Sequence, residues 1–413
     1  MLLFFKEADL FFFEKKNQKT FASPEAHRQP PRHRRRTRYT RNVPKVTEAR
    51  LLVVKIGSAL VVDPDTAAPR AAWLATLCAD IAAARARGTQ VIVVSSGAIS
   101  LARQALGLTQ KKLRLEEKQA AAAVGQIRLA QAWSEALAAH GLIAAQLLLT
   151  FGDTEDRRRY LNARATLRTL LDLHCVPVIN ENDSVATAEI RYGDNDRLAA
   201  RVAEMVQADQ LVLFSDIDGL YTADPRRVAN AQHIPLVPAL TPDIEAAAGD
   251  PPPGYSSGGM RTKLAAARVA TQAGCAMAVA RGGTDHPLAA LAAGARCTWF
   301  LAAPEGRSAR KRWIAGSLKP AGTLTIDAGA ARALAAGSSL LPAGVRAVEG
   351  EFARGDAVLV LGPDGSRLAQ GLSAYGSADA ALIAGRRSDA IEAALGWRGR
   401  DELIHRDDLV LFT

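Results

Sequence analysis

Several familiar signatures are missing from these 413 residues, and each absence removes a class of protein. The four cysteines, Cys78, Cys175, Cys275 and Cys297, lie far apart and form no CxxC pair. That leaves no metal-ligand spacing, and each is expected as a small core residue in a reducing cytoplasm. No stretch approaches the roughly 18 apolar residues of a membrane span. The charges Lys6, Glu7 and Asp9 interrupt the greasy pieces LLFF and LFFF at the start, which argues against a secretory signal. No GxxxxGK[ST] occurs, so this is no P-loop enzyme. No G-x-G-x-x-G follows the first predicted strand, which weakens a dinucleotide reading.

A basic surplus is also missing from most of the chain. The formal charge is +10, but residues 1–50 hold 13 Lys+Arg against 5 Asp+Glu, and residues 51–413 hold 39 against 37. The high pI therefore belongs to the leader and carries no information about what the remainder binds. Residues 1–49 are expected to be a disordered basic leader, or a non-native extension from an upstream start codon, since nothing after Leu51 depends on them.

What is present reads as two or three domains, with an apolar content of 48% that supports a sizeable core. Leu51–Ser58 is a predicted strand running into a glycine turn, with Lys55 near its end. A lysine in such a run is costly unless it leaves the sheet or meets an anion. Further strands are predicted at Gln90–Val94, Ile143–Leu149, Val176–Ile179, Gln210–Phe214 and Ala276–Ala280. Helical patterns are predicted at Ala71–Arg87, Glu116–Ala139, Arg157–Leu173, Arg197–Val206 and from Met260 to about Ala273. This alternation implies a mainly parallel sheet with helices on both faces, a three-layer αβα sandwich.

The organising stretch is Val176–Ala200, with two polar clusters, Asn180-Glu181-Asn182-Asp183 and Gly193-Asp194-Asn195-Asp196. It reads as a strand, a long polar loop and a helix. Such a loop offers partners for an ammonium, a carboxylate or hydrated Mg²⁺, although a turn-rich connector has the same composition. The strand ends deliver Lys55, Ser95-Ser96-Gly97-Ala98, the NEND cluster and Ser215-Asp216, and a helix start delivers Ser257 to Lys263. In a parallel sheet these share one edge. Two lysines, a glycine-rich helix start and carboxylates on one edge suit a nucleoside triphosphate with Mg²⁺ and phosphoryl transfer.

The segments VVKIGSAL, VVSSGAIS, KQAAAAVGQ, LNARATL, PVINENDSVATAEI, YGDNDRLAA, DGLYTADPR and SGGMRTKLAAARVA closely resemble the glutamate 5-kinase family, within the amino-acid kinase superfamily. The likeness covers the chain after Leu51. It implies ATP and Mg²⁺ as cofactors and the side-chain carboxylate of L-glutamate as acceptor, the first step of proline biosynthesis. It also implies site roles. Lys55, Lys263 and Asp196 would be catalytic, with Asp196 orienting the lysines directly or through Mg²⁺. Ser96, Asn180, Asp183 and Asn195 would hold glutamate, the ammonium on Asp183 and amide oxygens, the α-carboxylate on the Ser96 region and the Asn195 amide. Ser215 and Asp216 would border base and ribose, and Ser257, Gly258, Gly259, Met260, Arg261, Thr262 and Lys263 would wrap the phosphates. Ser95 and Ser257 stand where the family often has Thr, and Arg261 where a small polar residue is common.

Short apolar runs at Thr323–Ile326, Val345–Val348, Ala357–Leu361 and Leu368–Gly371, punctuated by Gly and Pro, read as a small β-rich domain. It resembles the PUA domain that closes bacterial members of the family. The expected division is a catalytic domain at 50–302, a linker at 303–319 and a PUA domain with C-terminal tail at 320–413. PUA modules bind RNA elsewhere, but basic residues are few and unclustered here, so RNA is not the expected partner. Family likeness further implies a cytoplasmic homo-oligomer, proline as feedback inhibitor, and transient hand-over of product to glutamyl phosphate reductase. The competing readings are an RNA-binding PUA protein with an inactive kinase fold, and a kinase acting on a related acidic amino acid.

Overall fold

The computed structural model describes residues 43–412 except 109, 111–112, 186–193, 249–258, 305 and 307–318. The expected leader therefore falls almost entirely outside the described residues, as do most of the expected linker and the phosphate-loop residues Ser257 and Gly258.

The larger sheet collects the buried aliphatic runs. It is built from β1 (Leu51–Ile56), β2 (Gln90–Ser95), β3 (Ala144–Leu149), β4 (Val176–Glu181), β5 (Gln210–Ser215), β8 (Leu236–Val237), β9 (Ala276–Arg281) and β10 (Cys297–Phe300), in the order β3-β4-β2-β1-β5-β9-β10-β8. The strands from β3 to β9 are mutually parallel and only the β9–β10 pair is antiparallel. A small ribbon, β6 (Leu220–Tyr221) with β7 (His233–Ile234), sits outside it.

Strand alternation divides the core between two faces. Leu52, Val54 and Ile56 of β1 pack with Trp73, Leu74 and Leu77 of α2 (Ala71–Ala86) and with Leu129 and Trp133 of α4 (Leu115–Ala138). Val53 points the other way, against α6 (Arg157–Asp172), α7 (Asp194–Val206) and α9 (Met260–Gln272). Each fully buried large aliphatic side chain contributes roughly 1.5–3 kcal/mol, so both faces are strongly specified. Lys55 has the parity of Val53 and is thereby committed to the α7/α9 face. The remaining helices here are α1 (Ser58–Val61), α3 (Ala98–Arg103), α5 (Phe151–Glu155), α8 (Pro242–Ala247) and α10 (Pro287–Ala292).

Two boundaries in the organising stretch differ from the sequence expectation. β4 continues through Asn180 and Glu181, because both pair in register with β3, at Leu148 and Leu149. α7 begins at Asp194 rather than Arg197, so Asn195 and Asp196 lie in its first turn. Polar residues masked both ends: composition alone assigned them to a loop, whereas pairing and helix geometry claim them.

A second sheet, ordered β12-β11-β13-β14-β15, comprises β11 (Gly322–Ile326), β12 (Val345–Gly350), β13 (Ala357–Leu361), β14 (Arg367–Leu372) and β15 (Leu409–Leu411). It encloses its own core of Leu324, Ile326, Val358, Val360, Ile383 and Leu403. The chain's last strand, β15, had no counterpart in the sequence reading; three residues are too few to show periodicity. It brings Asp407 and Asp408 to α6. There Arg164, nearly fully buried, pairs with Asp408, and Arg168 Nη2 lies 2.6 Å from Asp407 Oδ2. Leu161 of α6 packs against Ala357 and Leu372 at the same junction.

Candidate active site

The site begins with strand ends held level by register. Ile56 of β1 pairs with Ser95 of β2 and Phe214 of β5, so Gly57, Ser96 and Ser215 emerge side by side. Lys55, one residue inside, reaches Asp196 of α7: Nζ lies 2.6 Å from Oδ1. Lys263, from the first turn of α9, approaches the same carboxylate, Nζ to Oδ2 at 3.2 Å. Thr262 Oγ1 donates to Oδ2 at 3.0 Å. All three charges are withdrawn from water: the side chains are 11%, 1% and 6% exposed for Lys55, Asp196 and Lys263. Burial pushes the Asp196 carboxyl up, but the two ammonium groups outweigh it and hold the carboxyl below its usual range. One carboxylate between two lysines leaves a net positive charge, which suits an anionic ligand.

Beside this triad runs a chain of amides. Asn195 Nδ2 donates to Ser96 Oγ at 2.6 Å, to Asn180 Oδ1 at 3.0 Å and to the Ser95 carbonyl at 3.4 Å. Asn180 Nδ2 in turn donates to Gln126 Oε1 of α4 at 2.8 Å. Asn195 and Asp196 are consecutive on one helical turn, so α7 ties the amide chain to the lysine pair. Ser96 Oγ accepts from Asn195, which leaves its own hydroxyl proton to donate elsewhere. Asp183, just past β4, is partly enclosed, and burial raises its pKa to about 6. An acid so placed favours a cationic partner. Gln126 was not singled out from the sequence; its only signal was membership of the KQAAAAVGQ segment.

The other expected positions are distributed as follows. Ser215 is buried at the end of β5 and donates to Asp216 Oδ1 at 2.9 Å, with Asp216 exposed. Gly259 caps α9, and Met260, Arg261, Thr262 and Lys263 form its first turn, Arg261 being exposed. Among the described residues, neither Asp183 nor Asp216 makes a hydrogen bond or ion pair with the triad.

A largely parallel sheet whose edge brings a lysine from a strand end and a lysine from a helix start onto one carboxylate, next to a chain of amides, defines a phosphotransferase of the amino-acid kinase type, here carrying a second β-rich domain. The amino acid kinase family model matches residues 50–281, and the PUA domain model matches residues 322–395. The glutamate 5-kinase of Gluconobacter oxydans (strain 621H) is 64% identical over 370 residues, covering 90% of this chain and 98% of that protein. That of Paramagnetospirillum magneticum (strain ATCC 700264 / AMB-1) is 65% identical over 363 residues, covering 88% and 98%. That of Paracoccus denitrificans (strain Pd 1222) is 61% identical over 368 residues, covering 89% and 99%. The chain belongs to the glutamate 5-kinase family. Among solved structures, an isopentenyl phosphate kinase aligns with a TM-score of 0.42 at 16% identity, over 60% of this chain and 99% of its own, a likeness too distant to bear on function.

Proposed function

We infer that this chain transfers the γ-phosphoryl group of ATP to the side-chain carboxylate of L-glutamate, giving L-glutamyl 5-phosphate and ADP, the opening step of proline biosynthesis. The observation that carries the reading is the single turn of α7 that presents Asn195 to the amides and Asp196 to both lysines.

The reaction asks little of a base, because the γ-carboxylate is already ionised near neutral pH. One of its oxygens forms the new bond to phosphorus as the bond to the β,γ-bridging oxygen breaks, and ADP leaves with that electron pair. The obstacle is an anion attacking an anion. Lys55 and Lys263 offset it, with charge held in place before the reaction rather than gathered during it. Asp196 positions both ammonium groups. Ser215 and Asp216 border the nucleoside, and residues 257–263 surround the phosphates. Asp183 and the amide oxygens receive the α-ammonium; the Ser96 hydroxyl donates to the α-carboxylate.

Asp196 has both oxygens engaged by lysine ammonium groups, so the residues fit Mg²⁺ held on ATP phosphate oxygens rather than in a protein cage. When bound, the ion neutralises phosphate charge. We place residues 50–302 as the catalytic domain, 303–319 as the linker and 320–413 as the PUA domain and tail. Residues 320–413 contain nine arginines, no lysine and twelve Asp+Glu, a balance that disfavours a phosphate backbone as partner. We further place the enzyme in the cytoplasm as a homo-oligomer. Proline, which pairs an α-carboxylate with a secondary α-ammonium, is then a competitor at the glutamate pocket, and the unstable acyl phosphate passes to glutamyl phosphate reductase. No helix among the described residues is long and apolar enough to cross a membrane.

The test is incubation with ATP, Mg²⁺, L-glutamate and hydroxylamine. γ-Glutamyl hydroxamate is the expected product; RNA retained on a filter with no hydroxamate would favour the binding-protein reading instead.

A further inference from the structure

Assigning Ser96, Asn180 and Asn195 to the amino acid does not say which end of each amide the ligand meets. The hydrogen-bond chain does. A main-chain carbonyl only accepts, so the Asn195 atom facing the Ser95 carbonyl is its nitrogen. That nitrogen then needs an oxygen from Asn180, which turns the Asn180 nitrogen toward α4. Gln126 completes the series by presenting Oε1. Polarity therefore propagates from Ser95 at one end to Gln126 at the other. Its outcome is a row of acceptors. Asn195 Oδ1 is buried and has no hydrogen-bond partner among the described residues. Asn180 Oδ1 keeps a second lone pair, and the Asp183 carboxylate lies just beyond β4 in the chain. A buried acceptor without a donor is unfavourable until something supplies one.

The fold places Gln126 with care. Gly125 precedes it on α4, and a Cβ there would collide with the Ala98 carbonyl at the start of α3. Only glycine lets α4 come this close, and that approach sets the Gln126 amide against Asn180. We propose that Gln126 is a positioning residue for substrate selection: by accepting from Asn180 it locks the amide relay with its oxygens toward the bound amino acid, so that the pocket demands an α-ammonium. This rests on the reading of the site as a glutamate pocket and adds to it the origin of discrimination against diacids that lack the amino group.

The test compares L-glutamate with glutarate, the same diacid without its ammonium, in the hydroxamate assay, for wild type, Q126M and Q126E. Methionine keeps the length and removes the acceptor; glutamate keeps an acceptor oxygen. Wild type should prefer L-glutamate in kcat/KM by about 1000-fold or more, as sites built around a polar substrate group do. Q126M should raise the glutamate KM by about tenfold, hold kcat and the ATP KM within about twofold, and narrow the preference by about tenfold, the worth of one lost hydrogen bond in the relay. Q126E should keep the preference within about threefold of wild type. Thermal unfolding checks that each variant is folded, and Q126A replaces Q126M if the latter is not. A folded Q126M or Q126A with the wild-type preference overturns the proposal, as does equal loss in Q126M and Q126E. Wild type making no hydroxamate from L-glutamate would instead overturn the underlying reading.

Discussion

Replacing Asp196 by asparagine isolates the triad's electrostatics, because shape is kept and one charge is lost. In the native protein each oxygen of this carboxylate, 1% exposed, faces a lysine at 2.6 or 3.2 Å. In D196N two buried ammonium groups face an amide and each other. Removing one partner from a buried ionic cluster costs about 3–5 kcal/mol, since the remaining charge stays desolvated. For a domain of this size each kcal/mol is worth about 2–4 °C, so Tm should fall by roughly 6–20 °C. Nucleotide supplies the missing negative charge, so ATP should raise the Tm of D196N more than that of wild type. Differential scanning calorimetry with and without ATP reads both effects. A Tm within about 2 °C of wild type, with an unchanged ATP shift, would refute the account of Asp196 as the shared counter-ion.

Other outcomes follow from the same geometry. Lys55→Ala and Lys263→Ala should each lower kcat by about 100- to 1000-fold with far-ultraviolet circular dichroism retained, and near-normal turnover in either would remove its assigned role. Asp183 titrates near pH 6, so kcat/KM for glutamate should fall by about tenfold per unit below that value as the acceptor for the ammonium is neutralised. Its stability effect has the opposite sign to an ordinary paired aspartate: the folded pKa is raised above 3.8, so stability declines as pH rises from about 4 to about 6 and is level above. Asp183→Asn should flatten both profiles while raising the glutamate KM, and a persisting inflection near pH 6 would assign it to another group. At the α6 junction, Asp408→Ala removes the buried counter-ion nearest Arg164 and leaves it Asp407 Oδ2 at 3.5 Å, so it should cost about 1–3 kcal/mol and separate the calorimetric transitions of the two domains; the double variant R164M/D408L should restore most of that loss.

The residues themselves dictated a good deal. Val, Leu and Ile runs bounded by helical periods specify parallel strands buried on both faces, because no other arrangement hides such runs. Lys55 stood out because a lysine in a buried run must leave the sheet or meet an anion, whereas the roles of Asn180, Asp183, Asn195, Asp196 and Lys263 came from the likeness of their segments to the glutamate 5-kinase family. The ends of β4 and α7 were misplaced because asparagine and aspartate look the same in a loop, at a strand end or in a first helical turn.

Only the tertiary structure decided what those side chains meet. That Lys55 and Lys263 share one carboxylate depends on strand parity and on α7 packing beside α9. That Gln126 reaches Asn180 depends on a glycine-thin contact between α3 and α4, and that Asp408 pairs with Arg164 depends on a three-residue strand closing the second sheet. Local composition records the chemistry a segment can perform. Contacts between residues 54, 67, 141 and 244 positions apart arise from the packing of whole elements, which no short window of sequence contains.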